Sequence, residues 1–586
     1  MNMKQVKTSK KRFTKKAELI ILTLSASMSF ILLLFSPVIV YMEAPEAFMV
    51  DIDHIVPPML LAVFAAAAAL AGLLNLCLLA GENIFRAGAG LLLGFAAACT
   101  VQSLALNRTM NVVLSTDRRF GTYKWAIIAN LLLFWTIVLL PAVLAVLARY
   151  FPELLGRAVR CRTVLAAAAA LFLINGTVAL GKTVSAHPGR YKGVQNSYLS
   201  YGPALSLSEE GNVVVFLTDR LDGEWMDELL VKYPELNEEF GDFTFYQNNI
   251  SVGTSTFPTV QQMLTNRHYD GEEWYDYLTK AWRGETLTRR LSDNGYSVYL
   301  LPDSITTLSS VSQVEGQCDN IRQCSDVKLN TFGKNGIVMN MTRLGTARVM
   351  PFAMKHNIQY WMGANFCRDM VRYPAMDDLE HKQASLENDL RFAEYLKKHS
   401  ITADSPKKTF SFIHLNCSHT VDDGIAGLHG FDGENDVYKT TRGDFEILFE
   451  YFRQMKEAGV YDNSTIIVLG DHGRAPRELS GSTMELDGAI TSALLIKPAG
   501  AHGKMIQKDS QSELSIAYFA PSVLEYAGVD RSGFGVSYND VINGSIKLPR
   551  VIRGYDFAGY GRMVEKAAYI VSGDARDFSN WTLLRE

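Results

Sequence analysis

The sequence predicts a multi-span α-helical membrane domain followed by a doubly wound α/β domain, and three observations predict it. Of the 586 residues 48% are hydrophobic, but the surplus crowds into long apolar runs before about residue 185. After about residue 211, strand-like runs alternate with helical patterns. Three of those strand-like runs end in aspartate or histidine, as in open α/β sheets that present a metal at the carboxyl edge.

The elements follow in order. Residues 1–16 carry Lys4, Lys7, Lys10, Lys11, Arg12, Lys15 and Lys16 with no acid. Five spans are expected at 17–42, 55–80, 84–106, 125–151 and 163–184, each long enough for the ~20 residues that cross a bilayer. Ala-rich stretches such as 65–69 and 166–170 would also suit buried soluble helices, but five in series favour the membrane. A signal peptide is the alternative for the first run, which shows no clear small-residue cleavage site.

The basic N-terminus is expected in the cytoplasm, and the loop with Glu43, Glu46, Asp51 and Asp53 outside. Arg149, Arg157, Arg160 and Arg162 before the fifth span agree. Arg108, Arg118, Arg119 and Lys124 fall outside on this scheme, where they would meet anionic headgroups or a phosphorylated substrate. An odd number of spans places everything after about residue 185 outside the cytoplasm, in an integral plasma-membrane protein.

Cys77, Cys99 and Cys161 lie in or beside spans, which leaves Cys318, Cys324, Cys367 and Cys417. Cys318 and Cys324 are spaced to close a short disulfide loop in an oxidising compartment. No CxxC pair suggests a zinc knuckle. The net charge of −4 and the lack of a basic–aromatic stretch argue against nucleic acid as a partner.

Residues 185–210 read as a linker along the membrane surface, and 211–586 as one extracytoplasmic domain. Its strand-like runs include 297–302, 409–415, 464–470 and 492–497, and its helical patterns 386–399 and 443–458. In the latter, Phe445, Leu448, Phe449, Phe452 and Met455 recur at three- and four-residue spacings, which makes that stripe core.

Candidate site residues stand at strand ends. Asp471-His472, between Gly470 and Gly473, ends the run Thr465-Ile466-Ile467-Val468-Leu469, and the glycines would let a ligand approach the backbone. Asn212 to Thr218 ends in Asp219. Thr409-Phe410-Ser411-Phe412-Ile413 leads into His414 and His419. Asp219 would otherwise cap the following helix, and His414 would be a structural strand histidine. Arg220 and Asp222 would pair with each other or with substrate, and His429 reads as a loop residue. Thr256, in Gly253-Thr254-Ser255-Thr256-Phe257-Pro258 before a helix-like run, is either a plain N-cap or a nucleophile. A nearby metal decides between these readings.

Together these segments resemble the sulfatase-like branch of the alkaline phosphatase superfamily. The resemblance is carried by Thr218-Asp219-Arg220-Leu221-Asp222, Gly253 to Pro258, His414-Leu415-Asn416-Cys417-Ser418-His419, and Val460 to Gly473. Five spans before such a domain look like lipoteichoic acid synthases, which are phosphoglycerol transferases, and lipid A phosphoethanolamine transferases. The resemblance implies that Asp219, Thr256, Asp471 and His472 hold one divalent metal. His419 would contact the transferred phosphate or move a proton, and Arg220 would meet substrate.

Three departures refine this. Those transferases usually have Glu where this chain has Asp219, which is closer to the sulfatase form. The sulfatase C/S-x-P-x-R frame reads Thr256-Phe257-Pro258-Thr259-Val260, so it offers neither a residue that matures to formylglycine nor the arginine. The tryptophan–arginine cluster of lipoteichoic acid synthases is also absent after Gly295-Tyr296. The implied enzyme is a phosphotransferase working through a phosphothreonine, with a phospholipid donor and a polyol, glycan or teichoic-acid-like acceptor of the cell envelope. Mn²⁺ is favoured, with Mg²⁺ or Zn²⁺ as alternatives. A phosphodiesterase or sulfatase-like hydrolase and a non-catalytic envelope-assembly scaffold are the other readings.

Overall fold

The computed structural model describes residues 3–43, 52–106, 124–151, 181, 197–272, 274–302, 314–323, 331–355, 388–416, 437–473, 491–557 and 563–585. The chain forms two compact units, Met1–Val194 with Lys328–Tyr373, and Gln195–Val327 with Pro374–Glu586.

The first unit is helical. Helix α1 (Met3–Phe30) passes through a π-helical turn at Ile31–Phe35 into α2 (Ser36–Glu43). It is followed by α3 (Ile52–Ala80), α4 (Glu82–Val101) and α5 (Lys124–Tyr150). Among the described residues four stretches are long and apolar enough to cross a membrane: Ala17–Met42, Ile52–Ala80, Glu82–Leu106 and Trp125–Leu147. The expected fifth span, 163–184, lies outside the described residues apart from Gly181. Helices α4 and α5 touch backbone to backbone, because a Cβ at Gly94 would stand 2.2 Å from the Val138 carbonyl oxygen. Small residues at the crossing are what allow membrane helices this approach.

A segment from the second half of the chain joins this unit. The insertion helix, Thr331–Val349, buries Ile337, Met341 and Leu344 in one cluster with Leu34, Val38 and Tyr41. The expected single domain over 211–586 is therefore interrupted. Lys334, Asn335, Asn340, Arg343 and Arg348 give this helix a soluble composition, and its apolar stripe at four- and three-residue steps is what seats it.

The second unit is built on a seven-stranded mixed sheet. In chain order its strands are β1 (Asn212–Thr218), β2 (Thr244–Tyr246), β3 (Ser297–Leu301), β4 (Thr409–Leu415), β5 (Ser464–Leu469), β6 (Leu494–Lys497) and β7 (Gln507–Asp509). Their spatial order is β7-β2-β6-β5-β1-β4-β3. Strands β5, β1, β4 and β3 run parallel, and β6 is antiparallel to both its neighbours. Every residue of β1, β4 and β5 is buried, as continuous Val, Ile and Phe runs require of strands covered on both faces. The helices α6 (Gly223–Lys232), α7 (Thr256–Thr265), α8 (Asn388–Lys398) and α9 (Val437–Glu457) belong to the same unit. Phe445, Leu448, Phe452 and Met455 of α9 are buried, and Phe449 is partly so.

A three-stranded antiparallel sheet follows, of β8 (Arg550–Phe557), β9 (Met563–Val571) and β10 (Trp581–Arg585). The stretch expected as a linker is folded from residue 197 onward: Ser197–Leu199 pairs antiparallel with Ile321–Gln323, and Tyr201, Leu205 and Leu207 are buried. Their apolar side chains are what draw it into the core. Among the described residues Cys318 is a free thiol whose sulfur faces the Val314 carbonyl at 3.9 Å, and its expected bridge to Cys324 falls outside them. Burial pushes its pKa up, and Cys324 lies outside the described residues.

Candidate active site

Asp219 and Asp471 come together because β1 and β5 are adjacent, parallel and in register, with Leu217 opposite Leu469. Each carboxylate then emerges two residues beyond that pair, at the same edge of the sheet. Gly470 serves the chain itself rather than a ligand, since a Cβ there would lie 2.3 Å from the Leu221 carbonyl oxygen. The expectation that this glycine opens the backbone to a ligand is corrected accordingly.

The two oxygens of Asp471 have different surroundings. Oδ1 accepts the backbone N–H groups of Arg220 at 3.0 Å and His472 at 2.9 Å. Oδ2 is buried with no hydrogen-bond partner among the described residues. It stands 3.5 Å from His472 Nε2. Arg220 reaches its bond from a left-handed backbone with φ of 62°, an uncommon conformation for a non-glycine residue.

His472 Nδ1 lies 2.8 Å from the carbonyl oxygen of Gly473. A carbonyl only accepts, so Nδ1 carries the proton and the Nε2 lone pair faces the site. Asp219 is held by its own N–H, which donates to the Leu415 carbonyl at 2.9 Å. His414, opposite Leu217 across the strand pair, places Nε2 3.3 Å from Asp219 Oδ2. The histidine read as a structural strand residue thus touches a candidate ligand.

Thr256 is the first residue of α7, and its Oγ1 is 3.4 Å from both Asp219 Oδ2 and His472 Nε2. The N-cap position belongs to Ser255, which is extended at φ −151°, ψ 155° and makes no side-chain cap. Thr256 is therefore free of the capping role that sequence alone left open. The Ser255 hydroxyl is buried without a hydrogen-bond partner among the described residues. Ser251 ties the preceding loop to the sheet edge: its hydroxyl donates to the Asp471 carbonyl at 2.6 Å and accepts from Gly253 N–H at 3.2 Å.

Asp219, Asp471 and His472 offer ligand atoms that all lie within 4.8 Å of one another, and all three residues are buried. The set fits a divalent cation. A buried carboxylate oxygen left without a hydrogen bond is costly unless paired, and the imidazole tautomer presents a lone pair to the same place. Asp222 caps α6 by accepting Glu224 N–H at 2.8 Å, which is the capping role that Asp219 does not take. His419 and His429 lie outside the described residues. Sequence reasoning missed Ser251, Ser255 and the backbone role of Arg220. Only the hydroxyl-rich run from Ser251 to Thr256 hinted at the first two.

No protein-family profile matches the chain, and no curated protein does. Among solved structures it is similar to a protein in the alkaline phosphatase superfamily from Vibrio parahaemolyticus. That match is 16% identical over 67% of this chain and 85% of the other, with a TM-score of 0.38. It is also similar to the lipoteichoic acid synthase LtaP from Listeria monocytogenes, at 11% identity over 67% and 88%, with a TM-score of 0.35. A third similarity is to the C-terminal periplasmic domain of EcEptC from Escherichia coli, at 13% identity over 62% and 96%, with a TM-score of 0.33.

Proposed function

We propose that this membrane protein is a metal-dependent phosphotransferase that moves an alcohol-phosphate group, of the phosphoglycerol type, from a phospholipid to a polyol or glycan acceptor of the cell envelope. One observation carries the reading: a threonine hydroxyl on the first turn of a helix stands at 3.4 Å from both a carboxylate and a lone-pair imidazole nitrogen. Asp219, Thr256, Asp471 and His472 would hold one divalent ion, Mn²⁺ favoured by three oxygens to one nitrogen. Such an ion, when bound, lowers the pKa of the hydroxyl and neutralises phosphate charge.

The residues then do the following. Thr256 gives up its hydroxyl proton to solvent, Oγ1 attacks phosphorus, the Thr256 O–P bond forms, and the P–O bond to diacylglycerol breaks. The leaving alkoxide takes a proton, for which His419 is the proposed donor, and the α7 N-terminus faces the anion. An acceptor hydroxyl next attacks phosphorus, loses its proton to the same base, and frees Thr256. Arg220 supports the anionic substrate, because its Nε is buried without a hydrogen-bond partner among the described residues.

The test is mass spectrometry of the purified protein after incubation with phosphatidylglycerol. A glycerophosphoryl adduct on Thr256, discharged by adding a polyol, is the expected result. Diacylglycerol release with no adduct on Thr256 would overturn the mechanism.

A further inference from the structure

Thr256 is not held in place by its own side chain. Among the described residues its Oγ1 meets no polar partner closer than Asp219 Oδ2 and His472 Nε2, both at 3.4 Å. The N-cap before it, Ser255, contributes no side-chain cap to α7. Where the hydroxyl stands is therefore decided by whatever fixes α7 and the loop ahead of it.

Strand β8 supplies that restraint from outside the seven-stranded sheet. Alternation along the strand turns Ile552 into a small core with Ile250, Ala567 and Val571, and Arg553 to the other face. A bulge follows at Gly554–Tyr555, an irregularity of the kind that re-aims a neighbouring side chain. The backbone of Arg553 bridges Gly253 in parallel. Its N–H donates to the Val252 carbonyl at 3.1 Å, and its carbonyl accepts Thr254 N–H at 3.2 Å.

The side chain of the same residue reaches the other end of the helix. Arg553 Nε donates to His268 Nε2 at 2.8 Å. An arginine only donates, so the His268 proton sits on Nδ1, which meets Gln262 Oε1 at 3.2 Å. Gln262 lies roughly 9 Å beyond Thr256 along α7 at about 1.5 Å per residue. Its carbonyl accepts the N–H of Asn266 at 2.8 Å, where the chain turns left-handed and the helix ends. Among the described residues the charged groups facing this link are Glu565 of β9, 3.7 Å from Arg553 Nε, and Asp270, 3.9 Å from His268 Nε2. One arginine thus restrains α7 at both ends, by its backbone before Thr256 and by its guanidinium after Gln262.

We propose that Arg553 is a positioning residue for the nucleophile: bonded to Val252, Thr254 and His268, it fixes α7 so that Thr256 Oγ1 stands between Asp219 and His472. The proposal rests on the phosphotransferase reading for the reaction it serves, and not for the restraint itself. Reacting atoms displaced by ~1 Å can lose about 10²-fold in rate, so a restraint remote from the chemistry has kinetic weight.

The experiment uses the full chain in detergent with Mn²⁺ and phosphatidylglycerol. It reads steady-state diacylglycerol release, the single-turnover rate of the Thr256 adduct, and amide hydrogen exchange across residues 251–260. Arg553→Met removes the side-chain donor and keeps the backbone bridge. It should slow kcat and adduct formation by about 10- to 100-fold, leave KM for the lipid within about twofold, and speed exchange across 251–260. His268→Leu leaves β8 untouched and should reproduce these effects, which keeps the test open if Arg553→Met does not fold. The two together should cost no more than either alone, and His268→Gln, which keeps an acceptor, should retain most of the rate. Wild-type rates in Arg553→Met and His268→Leu would overturn the proposal, as would losses that multiply in the double variant. A raised KM at unchanged kcat would overturn it too, by making Arg553 a substrate contact. Hydrogen exchange needs no turnover, so if the wild type forms no Thr256 adduct while Arg553→Met still loosens 251–260, the transferase reading falls and the restraint on α7 stands.

Discussion

At the scale of single residues, the site is organised by the unequal oxygens of Asp471. Two backbone N–H groups occupy Oδ1, which fixes the carboxylate plane and turns Oδ2 inward. One of those N–H groups belongs to Arg220, whose left-handed φ costs on the order of 1–3 kcal/mol. Arg220→Gly should therefore raise stability by up to about 1 kcal/mol while removing the guanidinium. The expected outcome is a higher Tm together with a higher KM for the lipid, measured by thermal melts and by diacylglycerol release. Thr256→Ala should abolish transfer and adduct, and Thr256→Ser should retain measurable activity. Neither should shift Tm by more than about 0.5 kcal/mol equivalent, because the hydroxyl's contacts at 3.4 Å are long. Asp219, Asp471 and His472 were legible because buried β-branched runs announce strands, and the residue after such a strand sits at its carboxyl edge. The positive φ of Arg220 was not, since backbone strain leaves no compositional mark.

At the scale of elements, strand β8 sets the loop ahead of Thr256. Arg553 accepts Thr254 N–H through its carbonyl at 3.2 Å and donates its own N–H to Val252 at 3.1 Å. Its side chain donates from Nε to His268 Nε2 at 2.8 Å, while His268 Nδ1 meets Gln262 Oε1 at 3.2 Å. Burial first, and then the Arg553 cation, hold the His268 pKa below its usual value, against a smaller opposing pull from Asp270. A neutral acceptor at Nε2 is what the geometry needs. The folded state binds this proton less readily than the unfolded state, so the contribution is fully present above the unfolded pKa of about 6.5 and is lost as pH falls through that value toward the folded one. Melts between pH 7.5 and 5.5 should show wild type losing more Tm than His268→Gln, which keeps an acceptor and cannot titrate. An equal loss would assign the acid sensitivity elsewhere. None of this pairing was readable from spacing, because nearly the whole soluble half separates residue 268 from residue 553. The insertion helix escaped for a different reason: its polar residues matched a soluble composition, and only packing on Leu34, Val38 and Tyr41 gives its apolar stripe a meaning.

At the scale of the whole molecule, the side of a membrane on which the seven-stranded sheet would lie depends on parity. Four described stretches can cross a bilayer, and an even number would return the second unit to the side of the basic N-terminus. The sequence alone leads one to expect the odd crossing at 163–184, so topology turns on that one stretch. Positive charge favours the cytoplasmic side, and Arg149, Arg157, Arg160 and Arg162 just before the segment would anchor its start there. The chemistry follows the same parity, since a phospholipid headgroup is the sensible phosphoryl donor where ATP is not supplied. A reporter that is active only outside the cytoplasm, fused after Glu586, should therefore be active in the full chain. Deleting 163–184 should silence it and activate a cytoplasm-only reporter at the same position. Activity of the cytoplasmic reporter on the intact chain would place the Asp219, Asp471 and His472 site inside the cell, and would remove the reason for preferring a lipid donor over a nucleotide.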